Sequence, residues 1–401
     1  MKRKLQVPRI LLLIETSRIY GRQLVEGIGR YAREHGPWSI HFEERGVHEL
    51  SVRALSKLRV DGVISRIRDP AAARKLQATG LPFVELHGNP KTCKTHVTVD
   101  EDAVARMAAE HLLDRGLKNL GFFSRRNEWW LQIRRNAFIE HLRRLGYPCS
   151  AYAASAHLRK TDDESIKQLD LIKWLHSLPK PAGILCATDM EALTLLEACR
   201  QAAIPIPDQI AVLGVDNDSV ICSVAWPRLS SVDLDAQRVG YESAALLGRI
   251  MASGTKPNTT ILVPPKEVVV RESTDVLAIA DAQVVQAARL IRQFACKGID
   301  VSHVADHILM CRRTLERRFK ACVGRTLKEE ILRVKIGQAK MLLAQSDYPL
   351  KRISDMSGFK SLHYFARAFH RETGSTPGRF RNKNRRMPAG TGEHISNNAS
   401  T

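Results

Sequence analysis

His363-Tyr364-Phe365-Ala366-Arg367-Ala368-Phe369, followed by Gly374-Ser375-Thr376-Pro377, is the stretch on which the fold turns. Phe365 and Phe369 lie four apart, the spacing that places two core side chains on one helix face. About fifty residues earlier the same grammar appears as Arg313-Thr314-Leu315-Glu316-Arg317-Arg318-Phe319, then Gly324 and Thr326, with Leu315 and Phe319 in the matching positions. Val304-Ala305-Asp306 precedes the first copy and Ile353-Ser354-Asp355 the second. A short helix, a tight turn and a second, Arg-studded helix make a helix-turn-helix, in which one helix braces across the backbone while the next enters the major groove. A single Arg-rich helix is usually a solvated face. The doubled motif predicts a DNA reader.

The second copy carries Gly358-Phe359-Lys360-Ser361, Tyr364-Phe365-Ala366-Arg367-Ala368-Phe369, Gly374-Ser375-Thr376-Pro377 and a closing Phe380-Arg381, and it resembles the AraC-type transcription-factor domain. That resemblance implies groove-facing Arg313, Glu316 and Arg317 in the first recognition helix, and Leu362, His363 and Arg367 in the second. Arg pairs with both acceptors of guanine, Glu accepts from cytosine, and Leu362 offers an apolar contact to a thymine methyl. Two departures weaken the first motif. Cys311 stands where a Ser-like helix cap is expected, and the first copy lacks the turn glycine that Gly358 supplies.

The charge agrees with this placement. Sixty-two Lys and Arg against 42 Asp and Glu give +20, and residues 281–401 hold 23 basic and 10 acidic side chains, +13 of that total. Such a balance favours a polyanion, nucleic acid or an anionic membrane surface, and is silent on fold. A chain of 401 residues suggests two to four domains, and 44% apolar content can bury a core. Eight scattered cysteines without a CxxC pair read as reduced thiols of a cytoplasmic protein. Leu11-Leu12-Leu13-Ile14 is too short for a signal segment, and no apolar run approaches the ~20 residues that cross a bilayer; no membrane partner is expected.

From Pro8 to about Gly214, apolar runs alternate with amphipathic stretches. Strands are predicted at Arg9–Ile14, Ser39–Glu43, Gly62–Ser65, Phe83–Leu86, Asn119–Ser124, Ala182–Ala187 and Ile210–Val215. Helices fit Gly21–His35, Asp102–Arg115, Gln132–Leu145, Glu164–Ser177 and Met190–Ala203. Such alternation means parallel sheets covered on both faces, which bind ligands at the carboxyl ends of their strands. Ser17, Arg66, Arg125, Trp129, Arg134, Asp189 and Asp216 fall at or just beyond such ends and are the candidate effector-binding residues. Carboxylates accept from neighbouring hydroxyls, Arg donates in parallel pairs, and an indole covers the C–H face of a sugar ring.

Tyr20-Gly21-Arg22-Gln23-Leu24-Val25-Glu26-Gly27-Ile28, Arg134-Arg135-Asn136-Ala137-Phe138, Ala187-Thr188-Asp189 and Gly214-Val215-Asp216-Asn217 resemble the effector domain of LacI/GalR-type regulators and periplasmic sugar-binding proteins. The resemblance implies sugar-hydroxyl contacts from Arg134, Asp189 and Asp216. A LacI-like sensor followed by an AraC-like reader is similar to the bacterial xylose operon regulators, and this likeness extends through Gly240-Tyr241, Ile261-Leu262-Val263-Pro264-Pro265 and Arg271-Glu272-Ser273-Thr274-Asp275.

The expected fold is a two-lobed α/β periplasmic-binding-protein-like sensor with parallel sheets over residues 1–271, a linker at 272–281, an all-α reader with two helix-turn-helix motifs over 282–384, and a disordered tail at 385–401. The resemblance implies a DNA-binding transcription regulator, an activator, controlled by a small sugar between the sensor lobes, a pentose such as D-xylose. The alternative is another carbohydrate or a non-sugar effector for the same architecture. Expected partners are double-stranded operator DNA, a second copy in a homodimer, and RNA polymerase. No enzyme activity, cofactor, catalytic residue or metal site is expected. Gly27-Ile28-Gly29 lies inside a helix rather than after a strand, the wrong context for a phosphate cradle; His303 and His307 lack the intervening Glu of a zinc-protease motif; no Gly-x-Ser-x-Gly elbow occurs. Uptake of sugar in the periplasm conflicts with the basic reader. Methyl-accepting DNA repair would need an activated, metal-held Cys near the N-terminus, whereas the first cysteine is Cys93.

Overall fold

A computed structural model of the chain describes residues 7–42, 59–66, 70–86, 95–126, 128–152, 163–255, 258–276 and 281–385. The chain forms two compact units, Met1–Ala278 and Ile279–Thr401.

The first unit holds two six-stranded sheets. β1 (Arg9–Leu13), α1 (Ile19–His35), β2 (Ser39–Phe42), β3 (Gly62–Ser65), α2 (Pro70–Ala78), β4 (Phe83–Glu85), β5 (His96–Val99) and α3 (Glu101–Leu113) come first. Then follow β6 (Asn119–Phe123), α4 (Trp129–Arg144), β7 (Cys149–Ala151), α5 (Glu164–Ser177), β8 (Ala182–Cys186), α6 (Asp189–Gln201), β9 (Ile210–Val215), α7 (Ser219–Val224) and β10 (Ser230–Asp233). The chain returns through α8 (Ala236–Ser253), adds β11 (Thr260–Val263) to the first sheet and finishes with β12 (Glu267–Val269) in the second. The strand orders are β11-β5-β4-β3-β1-β2 and β12-β10-β9-β8-β6-β7. All pairings are parallel except β10 with β12. The parallel central strands are apolar because both faces are covered: every residue of β8 and β9 is buried.

α1 and α8 cross at backbone contact. A Cβ on Gly27 would stand 1.9 Å from the Gln237 carbonyl oxygen, and one on Gly240 2.0 Å from that of Leu24. Gly27 of α1 and Gly240 of α8 therefore serve helix packing.

The second unit is helical: α9 (Ala282–Phe294), α10 (Val301–His307), α11 (Arg312–Val323), α12 (Leu327–Gln345), α13 (Leu350–Met356), α14 (Leu362–Thr373) and α15 (Pro377–Arg385). α10–α11 and α13–α14 are the two helix-turn-helix motifs, joined by α12. Leu315, Phe319, Phe365 and Phe369 are fully buried, as their four-residue spacing requires. The turns differ. Gly358 has φ +75°, and a Cβ there would meet Ala295 and Cys296 backbone atoms at 2.8 Å. In the first copy Leu309 adopts φ +54° instead. Ser361 caps α14 by accepting from the Tyr364 N–H at 3.2 Å, whereas Cys311 makes no side-chain cap for α11.

The first residues of the linker expected at 272–281 are part of the sensor fold. Ser273 and Thr274 are fully buried, and Val276 joins the core of the first unit. Polar side chains misled here, because their partners are buried polar groups of β9, β10 and α3. Arg385 ends α15; the rest of the expected tail, 386–401, lies outside the described residues.

Candidate functional site

A cavity of about 420 Å³ opens at the carboxyl ends of strands from both sheets of the first unit. Arg18 and Tyr20 after β1, Arg66 after β3, Glu101 at the start of α3, Arg125 after β6, Trp129, Trp130 and Arg134 on α4, Glu191 on α6 and Asp216 after β9 line it. Of the candidates read from sequence, Arg66, Arg125, Trp129, Arg134 and Asp216 meet here. Ser17 and Asp189 do not.

Arg134 is the most constrained of these groups, only 2% exposed. Its Nε and Nη2 donate to the two Glu101 carboxylate oxygens at 2.7 and 2.9 Å, and Nη1 donates to the Ala187 carbonyl at 2.5 Å. Burial disfavours the guanidinium charge, but the Glu101 carboxylate, through its charge and hydrogen bonds, together with Asp216 and Tyr20, holds the pKa above its ordinary value. Asp216 shows the converse. Burial raises its carboxyl pKa above the usual aspartate range, with Arg134, Arg66 and Arg18 pulling it back in part. The Arg66 guanidinium lies 4.9 Å from the centre of the Tyr20 ring, and burial pushes that phenol up to about 12, so it stays a donor. Arg125 Nη1 donates to Glu164 Oε2 at 3.0 Å, and its backbone N–H to Glu191 Oε2 at 3.1 Å. Trp130 is anchored through Nε1 to Glu128 Oε2 at 2.6 Å.

Ser17 is exposed and donates to Glu15 Oε1 at 2.6 Å. Asp189 lies beneath the cavity loop at 1% exposure. Its Oδ1 accepts from Ser231 Oγ at 2.6 Å and its Oδ2 from the Asp218 N–H at 2.7 Å. Burial, then the Asp216 charge, raises its pKa well above the usual range. Asp189 thus holds the loop that carries Asp216. Glu101 follows the carboxyl end of β5, a strand that was not among those predicted. Trp130, the alternative to Trp129, lines the cavity together with it, and Glu191 was missed beside Asp189.

The cavity offers acceptors (Asp216, Glu101), guanidinium donors and two indoles, the complement of a compact polyhydroxylated ring. Among the described residues no cluster of three or more His, Cys, Asp or Glu is placed to hold a metal, and no helix is long and apolar enough to cross a membrane.

In the second unit Arg313, Arg317, Leu362, His363 and Arg367 are exposed on α11 and α14. Glu316 is half-buried and accepts from Arg312 Nε at 3.0 Å.

Residues 9–107 match the model of an XylR N-terminal domain, residues 109–274 that of a periplasmic binding protein-like domain, and residues 304–383 that of a helix-turn-helix domain. The chain is 34% identical over 386 residues to a xylose operon regulatory protein of Haemophilus influenzae, covering 94% of this chain and 98% of that one. It is 31% identical over 385 residues to the Escherichia coli K12 protein of the same description, covering 94% and 97%. A solved structure of a xylose-binding transcription activator is similar with a TM-score of 0.74 and 31% identity, over 95% of this chain and 99% of that one.

Proposed function

The chain belongs to the xylose operon regulatory protein family, and from that premise we propose that it is a sugar-controlled, DNA-binding transcription activator acting in the cytoplasm. The observation that carries this reading is a cavity of Arg134–Glu101, Asp216 and two tryptophans in the same chain as two helix-turn-helix motifs. The effector is a small neutral sugar, a pentose such as D-xylose. Arg66, Arg125, Trp129, Arg134 and Asp216 contact it directly, and Asp189 acts through the Asp216 loop. On DNA, Arg313, Arg317, His363 and Arg367 read base edges with Leu362 as an apolar contact. Glu316, whose Oε1 accepts from Arg312, keeps its other oxygen to accept from cytosine.

The working form is a homodimer, which spaces two readers along the operator, and an activator of this kind meets RNA polymerase there. Val220, Val224 and Trp226, respectively 60%, 68% and 87% exposed, are apolar side chains on and just after α7 available for self-association. Calorimetric titration of the full chain with D-xylose, L-arabinose, D-ribose and D-glucose tests the effector. One pentose is expected to bind and to change affinity for operator DNA; binding of none of them removes the sugar reading.

A further inference from the structure

The cavity and the chain's exit from the first unit share a loop. Asp216 lines the cavity, and Asn217 follows it; their φ angles are +110° and +49°, a region L residues rarely occupy. The loop is held there by directed bonds. The Asn217 N–H donates to Ser231 Oγ at 3.0 Å, its Nδ2 to Asp233 Oδ2 at 3.2 Å, and its Oδ1 accepts from Arg271 Nη2 at 2.9 Å. Arg271 begins the last stretch before the second unit. Its Nη1 donates to the Leu229 carbonyl at 2.8 Å, and its backbone N–H donates to Ser230 Oγ at 2.8 Å.

The next residues are gripped from a second direction. Glu272 pairs with Arg228. Ser273 Oγ donates to the Val212 carbonyl at 2.6 Å. The Thr274 carbonyl accepts from Arg115 Nε at 2.7 Å, and Thr274 Oγ1 lies 2.9 Å from His111 Nε2. His111 is on α3, and the first residue of α3 is Glu101, the partner of Arg134 in the cavity. Two elements that line the cavity therefore hold one exit segment. Within the second unit, Asp281 caps α9 and accepts Arg318 of α11 through both carboxylate oxygens at 2.7 Å. The entry point of the reader is bolted to a recognition helix.

We propose that Arg271 is a positioning residue that transmits cavity occupancy to the exit segment through Asn217. Effector bound against Asp216 fixes one state of the positive-φ loop; Arg271, tied to that loop, fixes the segment from which the linker leaves. A ligand shifts an equilibrium only by binding its two states differently, and this loop is the cavity element that Arg271 itself touches. The inference rests on the sugar-binding reading of the cavity.

The test uses the full chain, D-xylose, and a DNA duplex enriched from a random library by the wild-type protein with D-xylose present. Wild type is expected to change its DNA affinity by roughly tenfold on adding sugar. Arg271→Ala and Asn217→Gly should bind D-xylose within about threefold of wild type yet lose that change, and Arg271→Lys should recover part of it. Glycine at 217 tolerates the positive φ while removing the acceptor, so this variant reads the contact even if Arg271→Ala does not fold. A full response in Asn217→Gly, or loss of sugar binding together with the response, overturns the relay alone. Failure of wild type to bind any pentose overturns the cavity reading and the relay with it.

Discussion

Asp216 and Asp189 illustrate how one residue type at equivalent places takes two roles. Both follow parallel strands, and the strand-end rule marked both. Only Asp216 faces the cavity; Asp189 turns onto Ser231, 42 residues away in sequence. A contact of that separation leaves no local signature. A Cβ on Gly214 would fall 2.1 Å from Asp189 Oδ1, so the glycine of Gly214-Val215-Asp216 makes room for the buried carboxylate. The raised pKa of Asp216 has a measurable consequence. A sugar hydroxyl donates to the ionised carboxylate, so sugar binding favours that form. As pH falls from neutral, Asp216 takes up its proton earlier than an ordinary aspartate, and affinity drops with it. Calorimetry between about pH 7.5 and about pH 5 should show weakening that approaches tenfold per unit below the titration point. Asp216→Asn should bind more weakly and with a flat profile; an unchanged, still pH-dependent affinity in that variant removes Asp216 from the site.

Long, strongly periodic elements were legible before the structure, and short ones only in part. β9 and α5 stand within the predicted bounds because a continuous apolar run and a long 3.6-residue period leave little ambiguity. β5 and β7, four and three residues long, were not predicted, although β2, β3 and β4 of the same lengths were. The paired helix-turn-helix motifs were legible to the level of the cap. Cys311 cannot accept as Ser361 does, and α11 begins with its N–H groups unserved by that side chain. Cys311→Ser supplies the missing oxygen at a position whose backbone is already extended, with ψ 128°. It should stabilise the reader by about 1 kcal/mol, seen as a higher melting temperature of its transition. No rise would mean that the N-terminus of α11 is satisfied in another way. What sequence could not show is that Gly27 and Gly240 bring α1 and α8 into backbone contact, since that needs the pairing of residues over 200 apart.

At the scale of the whole molecule, charge is divided by task. Residues 281–401 carry +13 of the +20, and the sensor portion keeps 39 basic against 32 acidic side chains. Several of the sensor's arginines are internally matched, as Arg134 is by Glu101 and Arg228 by Glu272. DNA binding by the reader must release counterions from the duplex, whereas a neutral pentose releases none. The two affinities should therefore part company with ionic strength. Affinity for DNA, measured by fluorescence anisotropy, should fall log-linearly with salt, with a slope of about −0.9 for each phosphate neutralised. Sugar affinity over the same range should stay nearly flat, because a neutral ligand displaces no counterions. A flat DNA curve would remove the basic reader as the source of affinity. A sugar-site affinity that fell as steeply as the DNA affinity would identify an anionic effector drawn to Arg18, Arg66 and Arg125, and the neutral pentose would have to be given up.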